Sequence, residues 1–154
     1  MLTQLTTLAE KSDGRYASDA ELEFLKDYLE EIDKRIQTYD KIRNNEDKLI
    51  EQIGVKTKSK NPYLFDKYGK DLSSISERGR RHTMRFLATA MLFNETDKLR
   101  HKLLWQSIIM RAFKDENPSN LTYQMMGEVM NEQFNDEEMK LIKPGVQLVQ
   151  TMLS

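Results

Sequence analysis

The chain has 154 residues, which suits one domain with a hydrophobic core. Its 24 basic and 25 acidic side chains leave a net charge of −1, which argues against a general nucleic-acid binder because such proteins carry a basic excess. The absence of cysteine excludes disulfides, thiolate metal sites, a cysteine nucleophile and a thioether-linked cofactor, and is natural in a cytoplasmic protein.

The hydropathy pattern predicts an all-α fold. No apolar run approaches the roughly 20 residues that span a bilayer, and the N-terminus lacks the basic and apolar regions of a secretory signal. Apolar residues that alternate with period two, which would indicate strands, are absent. The first element is a short amphipathic helix whose apolar side is formed by Leu2, Leu5, Leu8 and Ala9.

A capping box opens the second element. The Ser18 hydroxyl can accept a hydrogen bond from the third amide of a helix, while Glu21 reaches back to the Ser18 amide. An apolar stripe with steps of three and four residues follows and predicts a helix with one apolar face. The stripe either packs on the domain's own core or docks another subunit, and the pattern leaves both open. We call it the N-terminal seam: Leu22, Leu25, Leu29, Ile32 and Ile36.

The next segment contains a predicted break and a predicted loop. Asn45 can cap a third helix that ends near Gly54. Residues 55–72 are expected to be the least regular part of the chain, since Pro62 and Gly69 forbid a continuous helix. Apolar and aromatic side chains in this segment would either hold it against the core or wall a ligand pocket: Tyr63, Leu64, Phe65 and Tyr68.

The central helix is predicted over residues 73–93 and carries two neighbouring stripes. One stripe is aromatic and contains His82 and Phe86, and the other is basic. Like charges at helical spacing repel by about 0.2–0.5 kcal/mol per pair, so a helix that keeps them would offer them to an acidic group. A flat, acidic, aromatic ligand could bind here, although a core face with a solvated edge is the commoner use of such stripes. The candidate ligand-binding residues are Arg78, Arg81, His82 and Arg85.

Three further helices are predicted towards the C-terminus. Asn94 or Thr96 would cap the first, whose predicted core face is Leu99, Leu103, Leu104, Ile108 and Ala112. The second would begin at Asn117, because the proline that follows needs no amide partner in a first turn. Residues 135–138 would cap the third, in which Pro144 and Gly145 predict a kink or a late start.

In their order and spacing, short segments along nearly the whole chain resemble the phycobilisome protein family, the globin-like subunits of cyanobacterial light-harvesting antennae. The resemblance implies a globin-like phycobiliprotein fold with an N-terminal helical pair used for subunit docking. It also implies a single domain over residues 1–154, with docking helices over about 1–40 and a globin-like core over 41–154. The matching segments lie at 15–22 (Arg-Tyr-Ala-Ser…Glu-Leu), 43–54, 68–69 (Tyr-Gly), 84–95, 117–118 (Asn-Pro) and 136–137 (Asp-Glu).

The family's pigment site is altered in this chain. In the family, a cysteine early in the central helix holds a linear tetrapyrrole, and the matching position is Ser76. The family's arginine that pairs with a bilin propionate is matched by Arg78, and its aspartate that accepts from the pyrrole nitrogens is matched by Gly79. The resemblance therefore implies no covalent bilin. Non-covalent capture of a bilin or haem by the arginine stripe stays open.

Two functions remain after these observations. The first is a non-enzymatic, bilin-free relative that binds phycobilisome or photosystem components during assembly, turnover or acclimation, as a homo- or hetero-oligomer in the cytoplasm or on the thylakoid surface. The alternative is a non-covalent tetrapyrrole carrier or sensor in which His82 or His101 ligates haem, although His101 has the neighbours of a solvated residue. No nucleophile with a base, phosphate loop or metal spacing indicates an enzyme.

Overall fold

The computed structural model describes residues 1–67, 69–113 and 116–153, with side chains described for all of these except 116 and 117. Short strands β1 (Asp66–Lys67) and β2 (Lys70–Asp71) form an antiparallel hairpin with Asp66 opposite Asp71 and Lys67 opposite Lys70. The predicted all-α class is confirmed. The helices in the described ranges are α1 (Leu2–Lys11), α2 (Asp19–Asn44), α3 (Glu46–Lys60), α4 (Ser73–Phe93), α5 (Thr96–Ala112), α6 (Glu116–Gln133) and α7 (Asp136–Leu153).

Helix α2 begins where the capping box of Ser18 and Glu21 predicts it. Ser18 Oγ accepts from Glu21 N at 3.3 Å, and Glu21 Oε2 accepts from Ser18 N at 2.9 Å, so the capping box is confirmed. The helix then runs without interruption to Asn44, and the predicted division at about residue 40 falls inside it. The cap predicted for Asn45 is wrong, because its Nδ2 donates to Lys41 O at 2.8 Å and so completes α2 rather than opening α3.

Helix α3 is longer than the sequence predicts. Gly54 was expected at its last turn but lies in its interior, and the helix continues to Lys60. A methyl group added at Gly54 would lie 3.4 Å from Arg80 Nη2, so the glycine allows a side chain of α4 to approach the α3 backbone. The irregular segment is therefore limited to residues 61–72, where Phe65 is buried, Tyr63 is exposed and Tyr68 lies outside the described residues.

Helix α4 has the predicted bounds and is fastened at its C-terminal end by α2. The last carbonyls of a helix have no partner within it. Here Tyr28 OH donates to Leu92 O at 2.9 Å, and Arg35 Nη1 donates to Met91 O at 2.5 Å. Asn94 then ends the helix in the left-handed conformation, with φ 50°. The predicted caps of α5 are wrong, since the N-cap of α5 is Glu95, whose side chain makes no capping bond.

Three of the five residues predicted for the core face of α5 are exposed. Leu99 and Leu103 are buried as expected, whereas Leu104 and Ile108 are each 52 % exposed and Ala112 is also exposed. The buried stripe continues instead through Ser107, because α4, α6 and α7 all pack on that side of the helix. We call the opposite side the α5 outer face: Leu104, Trp105, Ile108, Ile109 and Phe113.

The last two helices supply much of the hydrophobic core. Helix α6 is described from Glu116, one residue before the start predicted at Asn117, and its buried side includes Met125, Met126 and Val129. Asn135 and Glu138 form reciprocal 2.9 Å hydrogen bonds that cap α7, as predicted. The late start predicted from Pro144 is wrong, because α7 begins at Asp136 and contains the proline. Core side chains from α6, from the residue that follows it and from α7 include Tyr123, Met125, Met126, Val129, Met130, Phe134, Ile142, Val146, Val149 and Leu153.

Candidate functional site

The basic stripe of α4 is partly neutralised by the start of α3. Arg85 donates from Nε to Glu46 Oε1 at 2.6 Å and from Nη2 to Glu46 Oε2 at 2.8 Å, which is a bidentate pair. Arg81 Nη1 lies 2.5 Å from Asp47 Oδ1, and its Nη2 lies 3.0 Å from Glu77 Oε1. The acidic group that these arginines were expected to meet is thus supplied, at least in part, by the chain itself.

Hydrogen bonding from Arg85 holds the pKa of Glu46 below its ordinary value, and the charges of Arg85 and Arg81 add to this effect against an opposing contribution from burial. The carboxylate is also at the N-terminal end of α3, where the helix dipole favours a negative charge. Glu46 therefore joins α3 to α4 through an ionised carboxylate, and this junction is sensitive to acid.

Glu46→Gln is expected to lower the free energy of unfolding by about 1 kcal/mol at pH 7. A lowered folded-state pKa stabilises the protein above the unfolded-state value, and this contribution disappears as pH falls through the lower, folded-state value. The difference between Glu46→Gln and the unaltered protein should therefore shrink below pH 4.5. Urea unfolding at pH 7 and at pH 3 would measure it. Glu51→Gln, at an exposed position of α3, is the control, and equal pH profiles for both variants would contradict the prediction.

The other two residues of the predicted ligand site remain on the surface. Arg78 is exposed and makes no hydrogen bond or ion pair with the described part of the chain. His82 is exposed and meets Phe86 edge-on, with ring centroids 6.2 Å apart. His101 is exposed on α5. Binding of a tetrapyrrole by Arg78, Arg81, His82 and Arg85 stays a prediction.

The structure identifies a fourth arginine of α4 that the sequence analysis missed. Arg80 is 5 % exposed, donates from Nη1 to Ser76 Oγ at 2.9 Å, and lies with its Cζ 5.6 Å from the centre of the Phe65 ring. It makes no ion pair within the described residues, and burial lowers its pKa. The signal was present in the sequence, because Arg80 is spaced three and four residues from Thr83 and Met84 and thus belongs to the buried stripe of α4.

Direct contacts occupy the interface between α4 and α5, the helices that carry His82 and His101. Thr83 Oγ1, Gln106 Nε2 and Tyr123 OH lie within 3.1 Å of one another and join α4, α5 and α6. Burial raises the pKa of Tyr123, so the hydroxyl stays protonated and available to this network. Lys102 Nζ lies 4.6 Å from the centre of the Phe86 ring at the edge of the same interface.

The N-terminal seam lies outside the protein's own core. The buried residues of α2 are Tyr28, Arg35, Thr38 and Ile42, and the seam is rotated from them by about a third of a turn. Leu29 and Ile36 are 57 % and 45 % exposed, and the other seam residues are half-buried: Leu22, Leu25 and Ile32.

No group of three or more potential metal ligands occurs among the described residues. Within the same ranges, no helix is both long enough and apolar enough to cross a membrane. The features left at the surface are two apolar helix faces and a partly paired arginine stripe.

The helical order, the near absence of sheet and the altered central helix define an all-α protein of the globin-like phycobiliprotein class. Comparison with protein families shows that the model described as "Phycobilisome protein" matches residues 7–152, and the chain belongs to this family. No curated protein matches the chain. Family membership indicates a role related to light harvesting and assembly with other phycobilisome proteins, and members of the family are generally structural or light-harvesting proteins rather than enzymes.

The residues of this chain do not fit a covalently attached bilin. There is no cysteine for the thioether, and Ser76 Oγ, at the matching position, accepts a hydrogen bond from Arg80. Gly79 has no side chain that could accept from pyrrole nitrogens. The sequence therefore offers no thioether attachment for a bilin.

Proposed function

We propose that the protein is a non-enzymatic, bilin-free phycobilisome relative that binds phycobilisome or photosystem components in assembly, turnover or acclimation. The observation that carries the proposal is the position of the N-terminal seam. A stripe that served the domain's own core would be buried, whereas Leu29 and Ile36 are about half exposed. Contiguous apolar surface of this kind marks an interaction site.

Charge next to the seam supports a specific partner. Exposed acidic residues follow the same half of α2: Asp19, Glu23, Asp27 and Glu30. An apolar stripe beside acidic side chains fits a partner whose docking face is apolar with a basic edge, because complementary charge fixes register and speeds association. The partner surface in a phycobilisome or photosystem should therefore carry lysine or arginine beside its apolar residues.

The α5 outer face supports the same class of function. Its five side chains are 41–67 % exposed, and Trp105 and Phe113 are the most exposed of them. Large aromatic side chains are typical centres of binding energy in protein interfaces. A second docking face would let the protein bridge two components, which suits a role in assembly or turnover.

The proposal is tested with Leu29→Asp in co-sedimentation with isolated phycobilisomes and with photosystem preparations. The unaltered protein should sediment with one of them, and the variant should bind at least about tenfold more weakly, because a charge replaces an apolar contact at the centre of the seam. Leu29 is largely exposed, so the variant is expected to fold.

Val55→Asp is the matched control, since Val55 is an apolar residue of α3 that is 62 % exposed and lies outside the seam. It should bind like the unaltered protein. Equal binding by Leu29→Asp, or an equal loss with Val55→Asp, would contradict a docking role for the seam.

A further inference from the structure

The two exposed apolar faces of the molecule carry opposite charges along their edges. Helix α2 packs mainly on α4 and α7, and α5 packs on α4, α6 and α7, so the N-terminal seam and the α5 outer face are both open in one molecule. Exposed apolar faces of this kind mark docking surfaces. The charged residues beside them indicate what docks there.

Acidic side chains run beside the N-terminal seam. Glu23, Glu30 and Asp33 each directly follow a seam residue, and successive residues of an α-helix are turned by about 100°. The carboxylates therefore form a line parallel to the apolar stripe. We call the exposed carboxylates of this line, which make no ion pair with the described residues, the acidic row: Glu23, Asp27, Glu30 and Asp33.

The lysines near the acidic row are paired with other carboxylates. Lys26 lies 3.6 Å from Asp19, and Lys34 lies 3.4 Å from Glu137 on α7. A shallow groove of about 350 Å³ lies along the row. Carboxylates in such a groove can accept paired hydrogen bonds from a guanidinium group or a bond from an ammonium group of a second molecule.

Basic side chains accompany the α5 outer face. Lys102 lies three residues before Trp105, and Arg111 lies three residues after Ile108, so these cations share helical stripes with the apolar side chains. The Arg111 side chain is exposed and makes no hydrogen bond or ion pair with the described part of the chain. Against one aspartate, α5 contains four lysines and arginines: Lys98, Arg100, Lys102 and Arg111.

The charges decide how the two faces combine. Contact between two seams would bring two acidic rows into one interface, and contact between two α5 outer faces would bring two basic edges together. Like charges in one interface repel, whereas opposite charges fix the register and speed association. The α5 outer face also has the composition expected of a partner for the seam, an apolar surface with a basic edge. The favoured combination is therefore one seam with one α5 outer face.

We propose that the N-terminal seam of one molecule docks on the α5 outer face of a second copy of the chain. The apolar side chains of the two faces pack together, and the acidic row pairs with Lys102 and Arg111 of the second copy. Each molecule contributes a different face, so the contact is heterologous and builds a ring or an open chain. The proposal rests on the docking role of the seam proposed above and names a second copy as an occupant of that site.

The size of the two faces sets the expected affinity. Five large apolar side chains from each copy form a contact near the lower end of specific interfaces, about 1,000 Å² in total, for which a micromolar dissociation constant is expected. Sedimentation velocity of the full chain, without any other protein and over about 1–200 μM, covers this range. The weight-average sedimentation coefficient should rise with concentration. A monomer at every concentration would overturn the proposal.

One variant on each face tests the contact. Leu29→Asp in the seam and Trp105→Asp in the α5 outer face should each weaken self-association at least about tenfold. Both side chains are largely exposed, so both variants are expected to fold. Val55→Asp, at a position that is 62 % exposed and outside both faces, is the control and should associate like the unaltered protein.

A mixture of the two variants distinguishes a heterologous contact from a symmetric one. Leu29→Asp keeps an intact α5 outer face, and Trp105→Asp keeps an intact seam, so one undamaged contact forms between them. The mixture should give a dimer with one copy of each variant and no larger species, with an affinity within about threefold of the unaltered contact. A mixture that stays monomeric, or self-association that only one of the two variants weakens, would contradict the proposal.

Two further measurements separate this proposal from other uses of the same faces. A protein that is monomeric but sediments with vesicles of equal parts phosphatidylglycerol and phosphatidylcholine, and loses this binding in Trp105→Asp, would assign the α5 outer face to an anionic membrane and overturn the proposal. A monomer that sediments with phycobilisomes through Leu29 would also overturn it while leaving the proposed function in place. Self-association through both faces without such co-sedimentation would support it and contradict the proposed function.

Discussion

Leu103→Ala is expected to lower the free energy of unfolding by about 3 kcal/mol, the usual cost of replacing a buried leucine by alanine. Leu103 has no exposed surface and lies in the core cluster, where α5 meets α7. The cost combines the lost burial of the side chain with the cavity left among neighbours that relax only in part. For a chain of this size the melting temperature should fall by about 6–12 °C.

The neighbouring residue provides the matched control. Leu104 is the same residue type on the same helix but is 52 % exposed on the α5 outer face. Leu104→Ala should change stability by less than about 0.5 kcal/mol. Urea denaturation of both variants, followed by circular dichroism, measures the two changes. Similar losses in the two variants would mean that α5 is rotated from the orientation described here.

Replacement by methionine should change the free energy of unfolding in opposite directions at the two buried arginines, Arg80 and Arg35. Arg80 makes no ion pair with the described residues. Burial of its charge has a desolvation cost, and it is offset by one hydrogen bond to Ser76 and a contact with the Phe65 ring. Arg80→Met keeps a long apolar stem and removes the buried charge, so it should raise the free energy of unfolding by about 1–2 kcal/mol.

Arg35→Met is the counterpart. Arg35 is buried to a similar extent but holds Met91 O at the end of α4 and pairs with Glu31. Its removal leaves the Met91 carbonyl without this donor, and stability should fall by about 2 kcal/mol. Chemical denaturation of the two methionine variants measures the sign of the change in the free energy of unfolding for each. A loss in both would show that the Arg80 contacts outweigh the cost of burying its charge.

The sequence was most informative where structure depends on near neighbours in the chain. The capping box at Ser18 and Glu21 and the bounds of α4 were predictable because caps act over three or four residues. The cap predicted at Asn45 was wrong because the end of α2 and the start of α3 can both use this side chain. The local sequence does not determine which of the two helices it caps. The helix end predicted at Gly54 was wrong because this glycine instead allows Arg80 of α4 to approach the backbone of α3.

Apolar periodicity identified faces but did not say what covers them. Leu103 and Leu104 are adjacent in the chain, and the packing of α4, α6 and α7 decides which of them is buried. The basic stripe was recognised correctly as a cluster, yet the acidic partner of Arg81 and Arg85 came from α3, about 35–40 positions earlier in the chain. Pairings over such distances depend on the tertiary fold rather than on local pattern.

Helix α1 is attached to the rest of the molecule through few contacts. None of its ten residues is fully buried, and the bonds between Thr3 and Glu95 hold its first turn at the α4–α5 corner. A segment with so little buried surface opens at a small fraction of the free energy of global unfolding. We therefore expect hydrogen exchange in α1 to be faster than exchange in the core and independent of it. A partner that covers the nearby surface can recruit α1 and enlarge the contact area without unfolding the domain.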